Sequence, residues 1–247
     1  MTDRLRDWVL DLKIRSAYFL PRFASGHALL SPPNIANGNL TLLTILSAFA
    51  ILFSSSRAHA FYSTFDTAEI SKNYELGLEP QYMFNSRNGP GGNVIAHLDM
   101  AATEDSEFKF LLGSGVVPFQ AGGFFKWVPI PDYDRQPGIG GFFGVIYADQ
   151  QGVSTLALRL HPLISKNFKI EGFGSITPYT SIPFGITFAK GNTSYPVQWA
   201  LGSSLVPQGV KHIHLWTEVG FEMNAAFSYV SLGLSVPFED FSSLEFN

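Results

Sequence analysis

From residue 73 to residue 238 the apolar positions recur every second residue, the period of a strand with two unlike faces. In NYELGLEPQYMF (73–84), Tyr74, Leu76, Leu78, Tyr82 and Phe84 alternate with Glu75, Gly77, Glu79 and Gln81. In VIAHLDMA (94–101), Val94, Ala96, Leu98 and Met100 alternate with Ile95, His97, Asp99 and Ala101. EFKFLLGSGV (107–116) sets Phe108, Phe110 and Leu112 against Glu107, Lys109 and Gly113. FQAGGFFKWV (119–128) sets Phe119, Ala121, Phe125 and Trp127 against Gln120, Gly122 and Lys126. GIGGFFGVIYA (138–148) is apolar on both sides and rich in glycine, so its faces stay open. STLALRLHPL (154–163) places Leu156, Leu158 and Leu160 opposite Thr155, Ala157, Arg159 and His161.

The same rhythm continues to the end. GSITPYTSIPFGITF (174–188) keeps Ile176, Ile182, Phe184, Ile186 and Phe188 on one side throughout. TSYPVQWALGS (193–203) lines up Tyr195, Val197, Trp199 and Leu201, and HIHLWTEVGFE (212–222) opposes Ile213, Leu215, Val219 and Phe221 to His214, Glu218 and Glu222. In FSYVSLGLSVPF (227–238), Val230, Leu232, Leu234, Val236 and Phe238 share a face with Ser228, and Phe227, Tyr229, Ser231, Gly233 and Ser235 share the other. That makes ten predicted strands. The segments between them, among them NSRNGPGG (85–92), PDYDRQPG (131–138), KNFKIEGFG (166–174) and VPQGVK (206–211), carry turn chemistry. Pro80, Pro183 and Pro196 fall inside predicted strands, where each removes a ladder donor. No helical stripe of useful length follows residue 60.

Alternation shows two faces without saying which is inside. A water-soluble barrel hides the apolar face, whereas a membrane barrel shows it to lipid and keeps the charged row inside. Strands of 10–12 residues match the roughly 9–11 that cross a bilayer at a tilt. Aromatic residues gather toward strand ends on the apolar face (Tyr74, Phe84, Phe119, Trp127, Tyr147, Phe188, Tyr195, Phe238), as interfacial girdles require. The membrane arrangement follows.

The first 60 residues supply a route. Leu40 to Phe53 is an apolar run too short to span a bilayer as a helix, and it is followed by SSSRAHA, where Ala58 and Ala60 form an A-x-A cleavage signature. The expected division is a leader over 1–60, a short periplasmic segment over 61–72, a barrel over 73–238 and a polar tail over 239–247. Cleavage removes six Lys/Arg and three Asp, leaving ten basic and seventeen acidic side chains, net −7. That sign argues against nucleic acid. Charged residues make up only 15% of the chain, and the absence of cysteine removes disulfides and thiolate metal sites.

Ser231-Leu232-Gly233-Leu234-Ser235-Val236-Pro237-Phe238 resembles the C-terminal strand signal of bacterial outer-membrane barrels, with Gly233, Val236 and Phe238 at its marked positions and nine further residues after it. With the strand series and the leader, the resemblance to small Gram-negative outer-membrane β-barrel proteins covers residues 73–238. It implies an all-β, transmembrane up-and-down antiparallel barrel of about ten strands (eight or twelve also fit), assembled by the barrel-insertion machinery with periplasmic chaperones into the outer-membrane lipid bilayer.

The charged row is the main candidate for function: Glu75, Glu79, His97, Asp99, Glu107, Lys109, Lys126, Arg159, His161, His214, Glu218 and Glu222. It reads either as a plug of paired side chains filling a narrow lumen or as a narrow, weakly cation-preferring path, since six acids outnumber three fixed bases. His212-x-His214 has metal-like spacing but lacks a third ligand, so no metal and no cofactor are expected. No G-x-S-x-G turn marks a hydrolase. The expected function is a non-enzymatic envelope structural barrel or small pore; a membrane-embedded hydrolase and a secreted barrel for an apolar ligand are the alternatives.

Overall fold

The computed structural model describes residues 63, 65–71, 73–86, 89–150, 152–210 and 213–239. The leader with Ala58 and Ala60, His212 and most of the tail lie outside the described residues. The described chain is all-β: β1 (Tyr74–Met83), β2 (Gly91–Thr103), β3 (Ser106–Gly115), β4 (Phe119–Ile130), β5 (Gly138–Gln150), β6 (Val153–Ser165), β7 (Phe168–Ile170), β8 (Gly174–Ser181), β9 (Phe184–Ala189), β10 (Asn192–Ser194), β11 (Val197–Pro207), β12 (His214–Asn224) and β13 (Tyr229–Phe238).

These strands form a closed antiparallel ring of ten staves, because β8 with β9 and β10 with β11 are single staves interrupted once, and β7 is a short flap on β8. Each neighbour in sequence is a neighbour in the ring, and β13 closes on β1 with Tyr74 opposite Phe238 and Met83 opposite Tyr229. The prolines explain the interruptions. Pro183 and Pro196 occupy the two gaps, where no ladder donor is needed. The gaps face each other and bridge with their carbonyls: Gly185 N donates to Pro196 O at 3.2 Å and Gln198 N to Pro183 O at 2.9 Å. Pro80 stays inside β1, and its carbonyl accepts from Ser231 Oγ at 2.8 Å. Two expected connections are shorter than predicted: residues 168–170 of KNFKIEGFG form the flap, and β11 runs on to Pro207.

Every stave turns its apolar row outward. Leu158 is 48% exposed and Leu232 62%, while Glu107, one face over, is 0%. Along the outward rows the polar side chains are mostly hydroxyls (Ser114, Ser154, Thr180, Thr193, Ser203, Thr217, Ser228), with one rim carboxylate, Asp149. A water-soluble chain does not carry a contiguous apolar surface of that extent. Rings meet where the rows reach the rims: Tyr74 stacks on Phe238 at 5.4 Å, and Tyr82 meets Phe84 edge-on at 5.5 Å. Where Trp127 meets the turn after β2, its Nε1 donates to Asp105 at 3.3 Å. That bond and the Thr103 hydroxyl hold the Asp105 carboxyl below its ordinary range, the hydroxyl being the larger influence.

Inside, the middle of the ring is filled, and a cavity of about 1050 Å³ opens toward the rim where β1 begins. One cluster gathers Phe65, Ala68, Phe124, Val128, Phe142, Ile146, Ala157, Leu163, Tyr179 and Trp216. A second, of Met83, Val117, Ala148, Phe227 and Tyr229, sits at the rim away from Tyr74 and Phe238. Inward glycines make the room. A Cβ on Gly77 would lie 2.1 Å from the His97 ring, on Gly202 2.2 Å from Tyr179, on Gly220 2.2 Å from Tyr229 and on Gly233 2.4 Å from Phe65.

Candidate functional site: the lumen and the segment inside it

The sequence reading set residues 61–72 apart from the barrel; in the structure residues 65–71 lie within the ring. Phe65, Asp66, Thr67 and Ala68 are 1–5% exposed. Their bonds reach the wall on several sides. Phe65 N donates to Glu218 Oε2 at 2.8 Å, Ala68 N to Ser165 Oγ at 2.8 Å and Ser71 N to Glu107 Oε2 at 2.8 Å. Lys109 Nζ donates to Phe65 O at 3.0 Å and Lys126 Nζ to Glu69 O at 2.6 Å. Ser63 Oγ donates to Glu79 Oε2 at 2.9 Å. A short irregular stretch inside a barrel must satisfy its backbone polar groups from the wall, and these residues do so.

The central ion cluster is built on Asp66, a residue the sequence reading did not single out. Its carboxylate meets Lys126 Nζ at 2.5 Å and Lys109 Nζ at 3.3 Å. Lys126 also pairs with Glu107 at 2.9 Å, and Lys109 with Asp99 at 3.3 Å. Asp66, Asp99 and Glu107 bring carboxylate oxygens within 4.8 Å of one another, a spacing that suits a cation. Two lysine ammoniums already stand among them. Buried ions of this kind hold only when paired, since each costs several kcal/mol to take out of water.

The other predicted lumen residues fall around this cluster. His97 Nδ1 lies 2.5 Å from Glu79 and its Nε2 3.5 Å from Asp99. Glu218 accepts from Tyr179 OH at 2.7 Å and from Tyr229 OH. His214 Nδ1 meets Glu75 at 3.0 Å, where Glu75 also accepts from Ser235 Oγ, which in turn accepts from Trp216 Nε1 at 2.7 Å. Arg159 Nη2 donates to Thr187 at 2.9 Å. His161 lies between aromatic rings, 4.4 Å from Phe142 and 5.5 Å from Phe124 by centroid. Glu222 is not brought to the network. It is exposed at the far rim and accepts from Asn85. Of the strand signal, Gly233 faces inward beneath Phe65, and Phe238 faces outward against Tyr74.

Sequence reasoning missed the aromatic share of the lumen. Phe124, Phe142 and Trp216 have the parity of Lys126, Gly140 and Glu218, so strict counting along each strand reaches them. Nothing in the sequence of residues 63–71 signals insertion.

The protein-family models and the curated protein sequences compared with this chain give no match. Its fold is similar to those of several solved outer-membrane barrels. A bacterial polysaccharide outer membrane secretin shares 12% identity over 69% of this chain and 67% of its own, with a TM-score of 0.41. An outer membrane channel from Pseudomonas putida F1 shares 7% over 73% of this chain and 100% of its own, at 0.38. The translocator domain of the autotransporter NalP from Neisseria meningitidis shares 10% over 82% and 98%, at 0.35. Likenesses this distant carry no functional argument.

Proposed function

We propose that this chain is a non-enzymatic outer-membrane barrel whose lumen is closed by its own N-terminal segment, serving the envelope as a structural barrel. The observation that carries this reading is the pairing of an apolar outer wall with a buried ion cluster inside, centred on Asp66, Lys109 and Lys126. Lipid is the solvent that accepts the first, and segment 65–71 supplies partners for the second. Toward the rim where β1 begins the lumen opens into a cavity of about 1050 Å³ lined by Glu75, Asp99, His214 and Trp216 with Asp66 and Ser71, whereas farther in, beside Ser63, Glu79, His97 and Gln120, the space narrows to about 20 Å³, enough for one water. Three carboxylates beyond the fixed bases would bias any leak toward cations.

Extraction and migration test the first half of this reading. The protein should require detergent, and its unboiled form should migrate differently from its boiled form. A chain soluble without detergent is instead a secreted barrel. Planar bilayers test the second half: inserted protein should carry no steady current, and a steady current of porin size would make it a pore.

A further inference from the structure

Among the described residues two cavities open at the rim where β1 begins. They share Glu69, Ile70 and Asn167, and their walls differ in chemistry. One, of about 970 Å³, is lined by bases as well as acids. Its Lys166 pairs with Asp132 and donates to the carbonyls of Asp134 at 2.7 Å and Gln136 at 3.1 Å. The other, of about 1050 Å³, is lined by the carboxylates of Asp66, Glu69, Glu75, Asp99 and Glu239, and no lysine or arginine stands among its described lining residues. Its walls are built. Glu75, 6% exposed, accepts from Ser71 Oγ at 3.3 Å and from Ser235 Oγ, and meets His214 Nδ1 at 3.0 Å. Beside this carboxylate runs a row of register partners across three strands: Thr177 of β8, Ser204 of β11 and Trp216 of β12. All three line the cavity. The Trp216 Nε1–H is already taken by Ser235, so its ring is what it offers to an occupant.

This lining selects among ligands. Phosphates and carboxylates would be drawn in beside fixed acids and repelled. A single metal ion is far smaller than the space, which has the size of a small-molecule site. An ammonium group on an aliphatic stem meets each feature: three donors for carboxylate and hydroxyl oxygens, a charge that favours ring faces, and methylenes that lie on apolar surface. Two inter-strand spacings separate Thr177 from Trp216, about 10 Å, so a linear ligand with more than one amine has room to lie across the row. We propose that this cavity binds a small aliphatic polyamine, with one ammonium group at Glu75, another at Glu69 nearer solvent, and the stem along the row of Thr177, Ser204 and Trp216. The proposal rests on the filled-lumen reading in one respect, that residues 66–73 form one wall of the site.

The test uses protein extracted from membranes into an uncharged detergent and titrated by calorimetry with spermidine, magnesium chloride or tripolyphosphate at one ionic strength. Spermidine should bind saturably, magnesium should not displace it, and tripolyphosphate should not bind. Glu75→Gln should weaken spermidine about tenfold, the loss of one hydrogen bond to a charged group. Ser204→Phe fills the cavity without changing charge and should abolish binding. Protected strand amides in hydrogen exchange report that each variant has formed its ring. If Glu75→Gln does not fold, Glu69→Gln at an exposed position takes its place, with a loss of about threefold. Unchanged binding in Ser204→Phe, or displacement by magnesium as readily as by a second polyamine, reveals mere attraction to acidic surface and overturns the proposal. Tripolyphosphate binding as well as spermidine overturns it too. No spermidine binding while the Ala68 amide exchanges slowly overturns the proposal and leaves the filled lumen standing. Fast exchange at Ala68 in a formed ring overturns the filled lumen, and the proposal with it.

Discussion

Two sides of one lumen are filled by different physics. The walls made by β1, β2, β3 and the inward row of β12 carry Glu75, Glu79, His97, Asp99, Glu107, Lys109 and Glu218, and the N-terminal segment completes their bonds. The walls made by β5, β6 and β8 carry Phe142, Ile146, Ala157, Leu163 and Tyr179, which pack on one another and on Phe124. Side chains alone can close the apolar side, because dispersion and burial need no partner of a particular sign. The charged side stays closed only while Asp66 and the backbone of residues 65–71 remain in place. The segment's ion pairs meet the charged side, while its Phe65 and Ala68 belong to the apolar cluster and Ala68 N bonds Ser165 of β6, so charge fixes the segment on one side and packing on the other.

The comparison breaks most sharply at Lys126, which binds Asp66, Glu107 and the Glu69 carbonyl. Lys126→Met strands two buried carboxylates and should cost about 4 kcal/mol by urea unfolding in detergent, with residues 65–71 becoming open to protease in the folded ring. Should the segment stay protected, the ion cluster is not what holds it. On the other side, Phe142→Ala should cost about 3 kcal/mol through the cavity it leaves, yet keep the segment protected. Release of the segment by this change would erase the distinction between the two sides. Gly233→Ala drives a methyl into the Phe65 ring and should cost about 1–2 kcal/mol, less if Phe65→Leu is combined with it. No relief in the double variant would mean that the ring does not sit where it is described. The smallest effect belongs to Glu222→Gln, a change at an exposed rim position, which should shift stability by no more than about 0.5 kcal/mol.

Much of the wall was legible because a strand's period of two assigns each side chain to a face without knowledge of the whole. Glu79, Lys109 and Arg159 could be placed on the inward row from their neighbours alone. Height along the stave is not encoded that way, so Glu222 has the right parity and still lies above the network. GIGGFFGVIYA was ambiguous for a physical reason: Phe143, Val145 and Tyr147 face outward while Phe142, Ile146 and Ala148 face an interior that is itself apolar there. Asp66 was hidden because its stretch has no period, and its role depends on two lysines from other strands that only ring closure brings together. Pro183 and Pro196 looked like costs in separate strands, and their compensation is mutual.

The most direct measurement exploits the absence of native cysteine. Single substitutions Ala68→Cys, Leu158→Cys and Glu104→Cys, in membranes, are reacted with a charged maleimide and with a lipid-soluble one. Ala68 is 1% exposed inside the ring, Leu158 lies on the outward row, and Glu104 is in an exposed turn. A lipid-embedded barrel filled by its own N-terminal segment predicts that Glu104→Cys reacts with both reagents, Leu158→Cys only with the lipid-soluble one, and Ala68→Cys with neither until the protein is denatured. Reaction of Leu158→Cys with the charged reagent would place the outer wall in water, and Ala68→Cys reacting as fast as Glu104→Cys would empty the lumen of its segment.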